Sequence, residues 1–297
     1  MRAVWSFWTL PYRARRGFSW ERDRTHCLSW VLSVESARRH FDSIALHTDD
    51  AGAELLVDLL GLNFDHVSTS LNQLKDQDPD WWMQGKLHTY AEQREPFVHL
   101  DCDVYLFKPL PERLITSGVL AQNPEIVGPD SIWYDVEACE VAIRAHGDGY
   151  IPAEWSRYRT LIANQKAACC GIFGGHQLEF IRAYATTALG LLQSPGNRRA
   201  FDHLRYKREL NPFFEQYLLA ACAHYHKVEI EYLFHSWDHA RSAAAEFGFT
   251  HLMAGAKQNA TVVTRIEDRV AREWPEYYNR CRSLFTSGPG SSEPSYG

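Results

Sequence analysis

In the first hundred residues, short β-prone apolar runs alternate with segments whose apolar residues recur at three- and four-residue steps, and this alternation constrains the fold most. Residues 3–8, AVWSFW, read as a first strand. Cys27, Trp30, Val31, Val34, Ala37 and Phe41 then recur at helical spacing. Residues 43–47 read as the next strand, ending at Thr48-Asp49-Asp50. A second helix carries Leu55, Leu56, Leu59 and Leu60, with Gly61 as its stop. A short strand follows near residues 66–70, and a third helix over residues 81–93 leads into a strand ending at Asp101. The order predicts an α/β chain with a mostly parallel central sheet flanked by helices. In such sheets ligands bind beyond the carboxyl ends of the strands.

The second half is less regular. Residues 122–168 are rich in Gly, Pro, charge and scattered aromatics, with weak periodicity, and read as a long, partly irregular insertion. Order resumes at Gly171-Ile172-Phe173-Gly174-Gly175, a short strand and turn, before a helix presenting Leu178, Ile181, Ala185, Ala188 and Leu192. Another helix is expected to open at Asn211-Pro212, with Asn as N-cap and Pro at the first helical position. Strands are expected near residues 228–234 and 249–253, and a last helix over residues 264–284. Residues 1–285 make one domain, and the Gly/Ser/Pro-rich residues 286–297 read as a disordered tail.

Composition narrows the classes of function. A net charge of −6 and the lack of a basic stripe argue against nucleic acid as a partner. No stretch is long and apolar enough to span a bilayer, and the first residues lack the layout of a secretory signal. Seven cysteines, odd in number and without metal spacing, fit reduced thiols, so the expected address is the cytoplasm. There is no G-x-G-x-x-G, Walker A loop, H-E-x-x-H or G-x-S-x-G, which lowers the case for dinucleotide enzymes, P-loop NTPases, zincins and α/β-hydrolases.

The candidate chemistry lies in PFVHLDCDVYLFKPLP, residues 96–111, where an apolar run stops at Asp101-Cys102-Asp103. Alternating carboxylates at a strand end can share a divalent cation through oxygen ligands and leave its other positions for a diphosphate. Taken alone, such a pair is also an ordinary acidic turn. A phosphatase of the aspartyl-phosphate type would want Thr or Val two residues later, where this chain has Tyr105. A second segment, residues 249–257, offers His251, Gly255 and Lys257: an imidazole suits Mn²⁺-like ions, and an ammonium neutralises phosphate oxygens. A surface histidine and a solvated lysine are the plainer account of it.

In this order, the D-x-D strand, the later G-I-F-G-G strand, the Glu215-Gln216 helix and the His–Gly–Lys loop resemble the GT-A-type nucleotide-sugar glycosyltransferases. The similarity is to their glycogenin-like and galactosyl-transferring retaining group and to related uncharacterised bacterial families, over residues 3–257. The resemblance implies a GT-A-like (Rossmann-like) fold with a nucleotide-binding half, residues 1–121, and an acceptor half, residues 122–285. It implies a metal-dependent hexose transfer, retaining in the family's manner, from an NDP-sugar, UDP-linked in that group, to a saccharide or other hydroxyl-bearing acceptor, with Mn²⁺ or Mg²⁺ as cofactor. Asp101, Asp103 and His251 would be metal ligands, and Asp101 would also contact the ribose. Lys257 would hold the diphosphate, Lys86 would reach the nucleotide-sugar, and Trp8 would sit near the base. Glu215 and Gln216 would lie beside the reacting sugar. The family's usual Asn before the G-I-F-like strand is replaced here by Cys169, and the His–Lys loop is one residue shorter. For Glu215 an exposed carboxylate near a helix start is an equal reading, and for Trp8 and Lys86 packing and solvation are the plain alternatives. The aromatics Trp133, Tyr134, Tyr150, Trp155 and Tyr158 are the candidates for acceptor binding. Two other functions stay open: a sugar nucleotidyltransferase, whose Gly-rich loop is replaced by the Gly-poor residues 11–17, and a catalytically silent protein of the same fold.

Overall fold

A computed structural model describes residues 1–14, 20, 22–128, 131–146 and 148–286. The expected disorder of the tail concerns residues that, from 287 on, lie outside that description, as do residues 15–17 of the basic segment. Among the described residues eleven strands follow one another: β1 Arg2–Phe7, β2 Ile44–Thr48, β3 His66–Ser68, β4 Phe97–Leu100, β5 Val104–Leu106, β6 Leu120–Ala121, β7 Pro124–Ile126, β8 Lys166–Ala168, β9 Ile172–Gly175, β10 Glu231–Tyr232 and β11 Phe249–His251. Seven of them form one sheet in the order β10-β6-β9-β4-β1-β2-β3. The pairs among β4, β1, β2 and β3 are parallel, as is β10 with β6, while β9 runs antiparallel to both β4 and β6. The expected α/β chain with a mostly parallel sheet is what forms, and strands from both halves of the chain share that sheet.

Helices cover both faces, and strand periodicity shows why. In β1, Val4 packs into one core with Phe97, Phe173 and the helices Gln84–Glu92, Leu178–Gln193 and Leu218–His226. Its neighbours Ala3, Trp5 and Phe7 pack into the other, with Val98, Leu100, Ile172 and the helices Asp23–Arg38, Ala260–Glu273 and Pro275–Thr286. Successive side chains of a strand point to opposite faces, so a strand with apolar residues on both faces must be sandwiched between two layers.

Three expectations are corrected. Residues 122–168 hold regular structure: β7 pairs with β8, and helices run over Val136–Ala145 and Ala153–Leu161. The helical stripe Val136, Cys139, Ala142, Ile143 is real but small and interleaved with charge, which hid it, and Asp135 caps it by accepting from Ala138 N–H at 2.9 Å. Asn211 does not cap its helix; its Oδ1 accepts from Met83 N–H at 3.0 Å and its Nδ2 donates to Asp80 O at 2.8 Å, tying the helix to the 80–83 turn. The single last helix is two, Ala260–Glu273 and Pro275–Thr286, because Pro275 lacks an N–H and pushes Trp274 to φ −140°, ψ 65°.

Phe173 lies at the centre of the sheet with no exposed surface, its ring 4.7 Å from Tyr90 and 5.8 Å from Tyr184. Phe173→Ala is expected to cost about 3–5 kcal/mol, read as the loss in unfolding free energy in a urea titration; a loss below about 1 kcal/mol would contradict this packing.

Candidate metal centre and ligand cavity

Asp101 and Asp103 occupy the turn between β4 and β5, closed by Val104 N–H donating to Asp101 O at 2.9 Å. This turn is held from behind by the buried face of helix Asp23–Arg38. Ser29 Oγ donates to Cys102 O at 2.8 Å, Ser33 Oγ donates to Asp101 O at 3.2 Å, and Ser36 Oγ accepts from Leu106 N–H at 3.1 Å. Spacings of four and three residues put the three serines on one helix face. From the front, Asp101 N–H donates to Gly171 O at 3.0 Å, so β9 begins beside the turn.

His251 arrives through strand register. β11 pairs antiparallel with β5, His251 lies opposite Val104, and Leu252 N–H donates to Asp103 O at 3.0 Å. His251 Nε2 is 3.6 Å from Asp103 Oδ1. One ligand atom each of Asp101, Asp103 and His251 lies within 4.8 Å of the others, and among the described residues no other His, Cys, Asp or Glu group converges in this way. Gln122, just past β6, fixes the imidazole. Its Nε2 donates to Asn123 Oδ1 at 3.0 Å, which turns Oε1 towards His251 Nδ1 at 2.7 Å. Nδ1 therefore carries the proton, and the lone pair of Nε2 faces the aspartates. Gly171 makes room for this pair: a Cβ there would lie 2.3 Å from Gln122 Oε1 and 2.4 Å from His251 Nδ1.

Two lysines bracket the carboxylates. Lys257 Nζ is 2.6 Å from Asp103 Oδ2. Lys86, from helix Gln84–Glu92, lies 2.8 Å from Asp101 Oδ1 and 2.7 Å from Glu215 Oε1, and donates to Cys170 O at 3.3 Å. Glu215 has no exposed surface; it sits in a π-helical turn, Phe213–Tyr217, where Tyr90 OH donates to its Oε1 at 2.8 Å and Tyr184 OH donates to its backbone O at 2.5 Å. Widened turns of this kind are frequent at functional sites. Burial works against the ammonium of Lys86, and Asp101 and Glu215 outweigh it, so its pKa is raised. Burial, with the nearby carboxylates of Asp103 and Glu215, lifts Asp101 to about 6 despite Lys86. Burial also pushes Asp103 up, but Lys257 and His251 overcome it and hold Asp103 below its ordinary value. Burial lowers His251, which keeps it a neutral ligand.

A cavity of about 880 Å³ opens over these groups. Asp101, Asp103, His251, Lys257, Lys86, Trp8, Glu215 and Gln216, the residues expected from sequence, all line it. Of the five aromatics expected to meet an acceptor, Trp133 and Tyr134 line it, whereas Trp155 and Tyr158 are buried in the core and Tyr150 lies elsewhere. The sequence reading missed Gln122, Gly171, Tyr90 and the serine face. Only the serines left a signal, an i, i+4, i+7 stripe of hydroxyls running through the apolar middle of the helix Asp23–Arg38.

A family model matches residues 1–284. The chain belongs to the family of unknown function DUF6734. No curated protein matches it. The chemistry of the site therefore rests on its own geometry.

Gly171→Ala is expected to displace the Gln122–His251 pair and weaken Mn²⁺ binding by about tenfold or more, measured by calorimetry; unchanged affinity would show that His251 is not a ligand. A carboxylate must lose its proton to bind a cation, so affinity should be full above pH 7 and decline as pH falls through about 6, by up to about tenfold per pH unit. A titration series flat from pH 7 to 5 would count against Asp101 as a ligand.

Proposed function

We propose that this chain is a metal-dependent glycosyltransferase of GT-A type, moving a hexose from a nucleotide-diphosphate donor, UDP-linked, to a hydroxyl acceptor. The observation that carries the reading is the convergence of Asp101, Asp103 and His251 within 4.8 Å, at the carboxyl end of a mostly parallel sheet, in a cavity that also holds Lys86 and Lys257. Two carboxylates and a neutral imidazole are a donor set that fits Mn²⁺, and Mg²⁺ less closely. When bound there, the ion supplies Lewis-acid neutralisation of charge on a departing diphosphate.

The chain's own residues do the rest. Lys257 lies in the 3-10 turn Ala254–Gln258 after β11, from which its ammonium would serve the diphosphate oxygens as well as Asp103, adding a fixed cation where charge develops. Lys86 is held by Glu215 and directs its ammonium to Asp101 and the donor beyond it. Glu215 is fully buried with Oε1 engaged, an arrangement suited to fixing Lys86 rather than to deprotonating an acceptor. This favours a retaining outcome, which requires no base on the far face of the sugar. Gln216 reaches the cavity beside it, and Trp8 follows β1 where the base would lie. The aromatic walls exclude water and limit donor hydrolysis.

A second reading has one observation in its favour. Both carboxylates already carry an ammonium partner, Asp101 with Lys86 and Asp103 with Lys257, so a protein that binds the nucleotide without metal or turnover would be electrostatically complete. Incubation with a panel of UDP-sugars separates the two. Mn²⁺-dependent UDP release, reduced at least about 100-fold by Asp103→Ala, is expected. UDP binding without release would favour the silent protein, and no UDP binding by calorimetry with Mn²⁺ present would sink both.

A further inference from the structure

We propose that the cavity wall formed by Glu125, Trp133, Tyr134, Gln216 and Trp237 is a subsite for a neutral saccharide, which serves as the acceptor; the acceptor role rests on the transferase reading, the binding does not. The wall pairs planar polar groups with aromatic faces. Tyr134 OH lies 2.6 Å from Glu125 Oε2 and 2.6 Å from Gln216 Oε1. One phenol proton cannot fill both oxygens, so acceptor capacity remains on a carboxylate and an amide held side by side. Such a pair suits the vicinal hydroxyls of a pyranose. Trp133 is partly exposed beside it and Trp237 is 41% exposed at the mouth, and both line the cavity. Indole faces of this kind cover the C–H face of a sugar ring.

Charge agrees: Glu125 and Asp238 face the cavity from this wall against the ammonium of Lys166, which disfavours phosphorylated acceptors.

Saturation-transfer NMR with maltotetraose, cellotetraose, chitotetraose and mannotetraose tests this on the full chain. Saturable binding of at least one is expected, weakened at least tenfold by Trp133→Ala and by Glu125→Ala, and largely recovered in Trp133→Phe, which keeps an aromatic face. Because Trp133 and Glu125 are not in the fully buried core, circular dichroism should show all three variants folded. No binding of any of the four by the wild type, or binding indifferent to both alanine variants, overturns the subsite. Calorimetry with UDP and Mn²⁺ on the same samples reports separately on the transferase reading. Saccharide binding without UDP binding would keep the subsite and remove the transferase; UDP binding without saccharide binding would do the reverse.

Discussion

Lys86 is the interaction on which the site depends. A buried ammonium is tolerated only where nearby charge and hydrogen bonds offset the loss of water, and removing one partner leaves the others uncompensated. Here Asp101 and Glu215 share it at 2.8 and 2.7 Å, and the Cys170 carbonyl accepts from it. The lysine comes from helix Gln84–Glu92, Asp101 from the end of β4, Glu215 from a π-helical turn more than a hundred residues on, and Cys170 from the segment before β9. One charge thus ties four parts of the chain together beneath the cavity floor. It also explains why a carboxylate can be fully buried at Glu215.

The sheet decides where that floor lies. The carboxyl ends of β1, β4 and β6 and the start of the antiparallel β9 meet at one edge. Ser6, Asp101, Gln122 and Gly171 therefore come together although widely separated in sequence. His99 extends the polar layer inward: its Nε2 is 2.9 Å from Ser6 Oγ, and its Nδ1 is 3.8 Å from Asp101 Oδ1. Burial holds its pKa well below the ordinary value, so it stays neutral behind the carboxylate. A charged imidazole there would compete with Lys86 for Asp101.

Much of the fold was legible because strand and helix periods are local. The first three strands and the helices between them follow from apolar spacing, and so does the stop at Asp101. Legibility failed where the apolar signal was carried by small residues, as in Val136–Ala145, or where a side chain served a distant partner instead of its own helix, as with Asn211. In the site, residue chemistry picked out Asp101, Asp103, His251 and Lys257, the resemblance to GT-A-type glycosyltransferases added Lys86, Glu215 and Gln216, and all line one cavity. Gln122 and Gly171 had no signature: an amide that orients a histidine and a glycine that gives it room are defined only by what lies opposite.

The sequence by itself determined a mostly parallel α/β chain and a carboxylate pair at a strand end, since hydrophobic period and charge are properties of neighbouring residues. Tertiary structure alone decided which residues complete that pair. His251 reaches Asp103 through the register of β11 on β5, and a shift of one residue would turn it to the opposite face. Lys86 and Glu215 meet because two helices pack against the same sheet face, and that proximity depends on long-range burial of apolar surface, which no local spacing encodes.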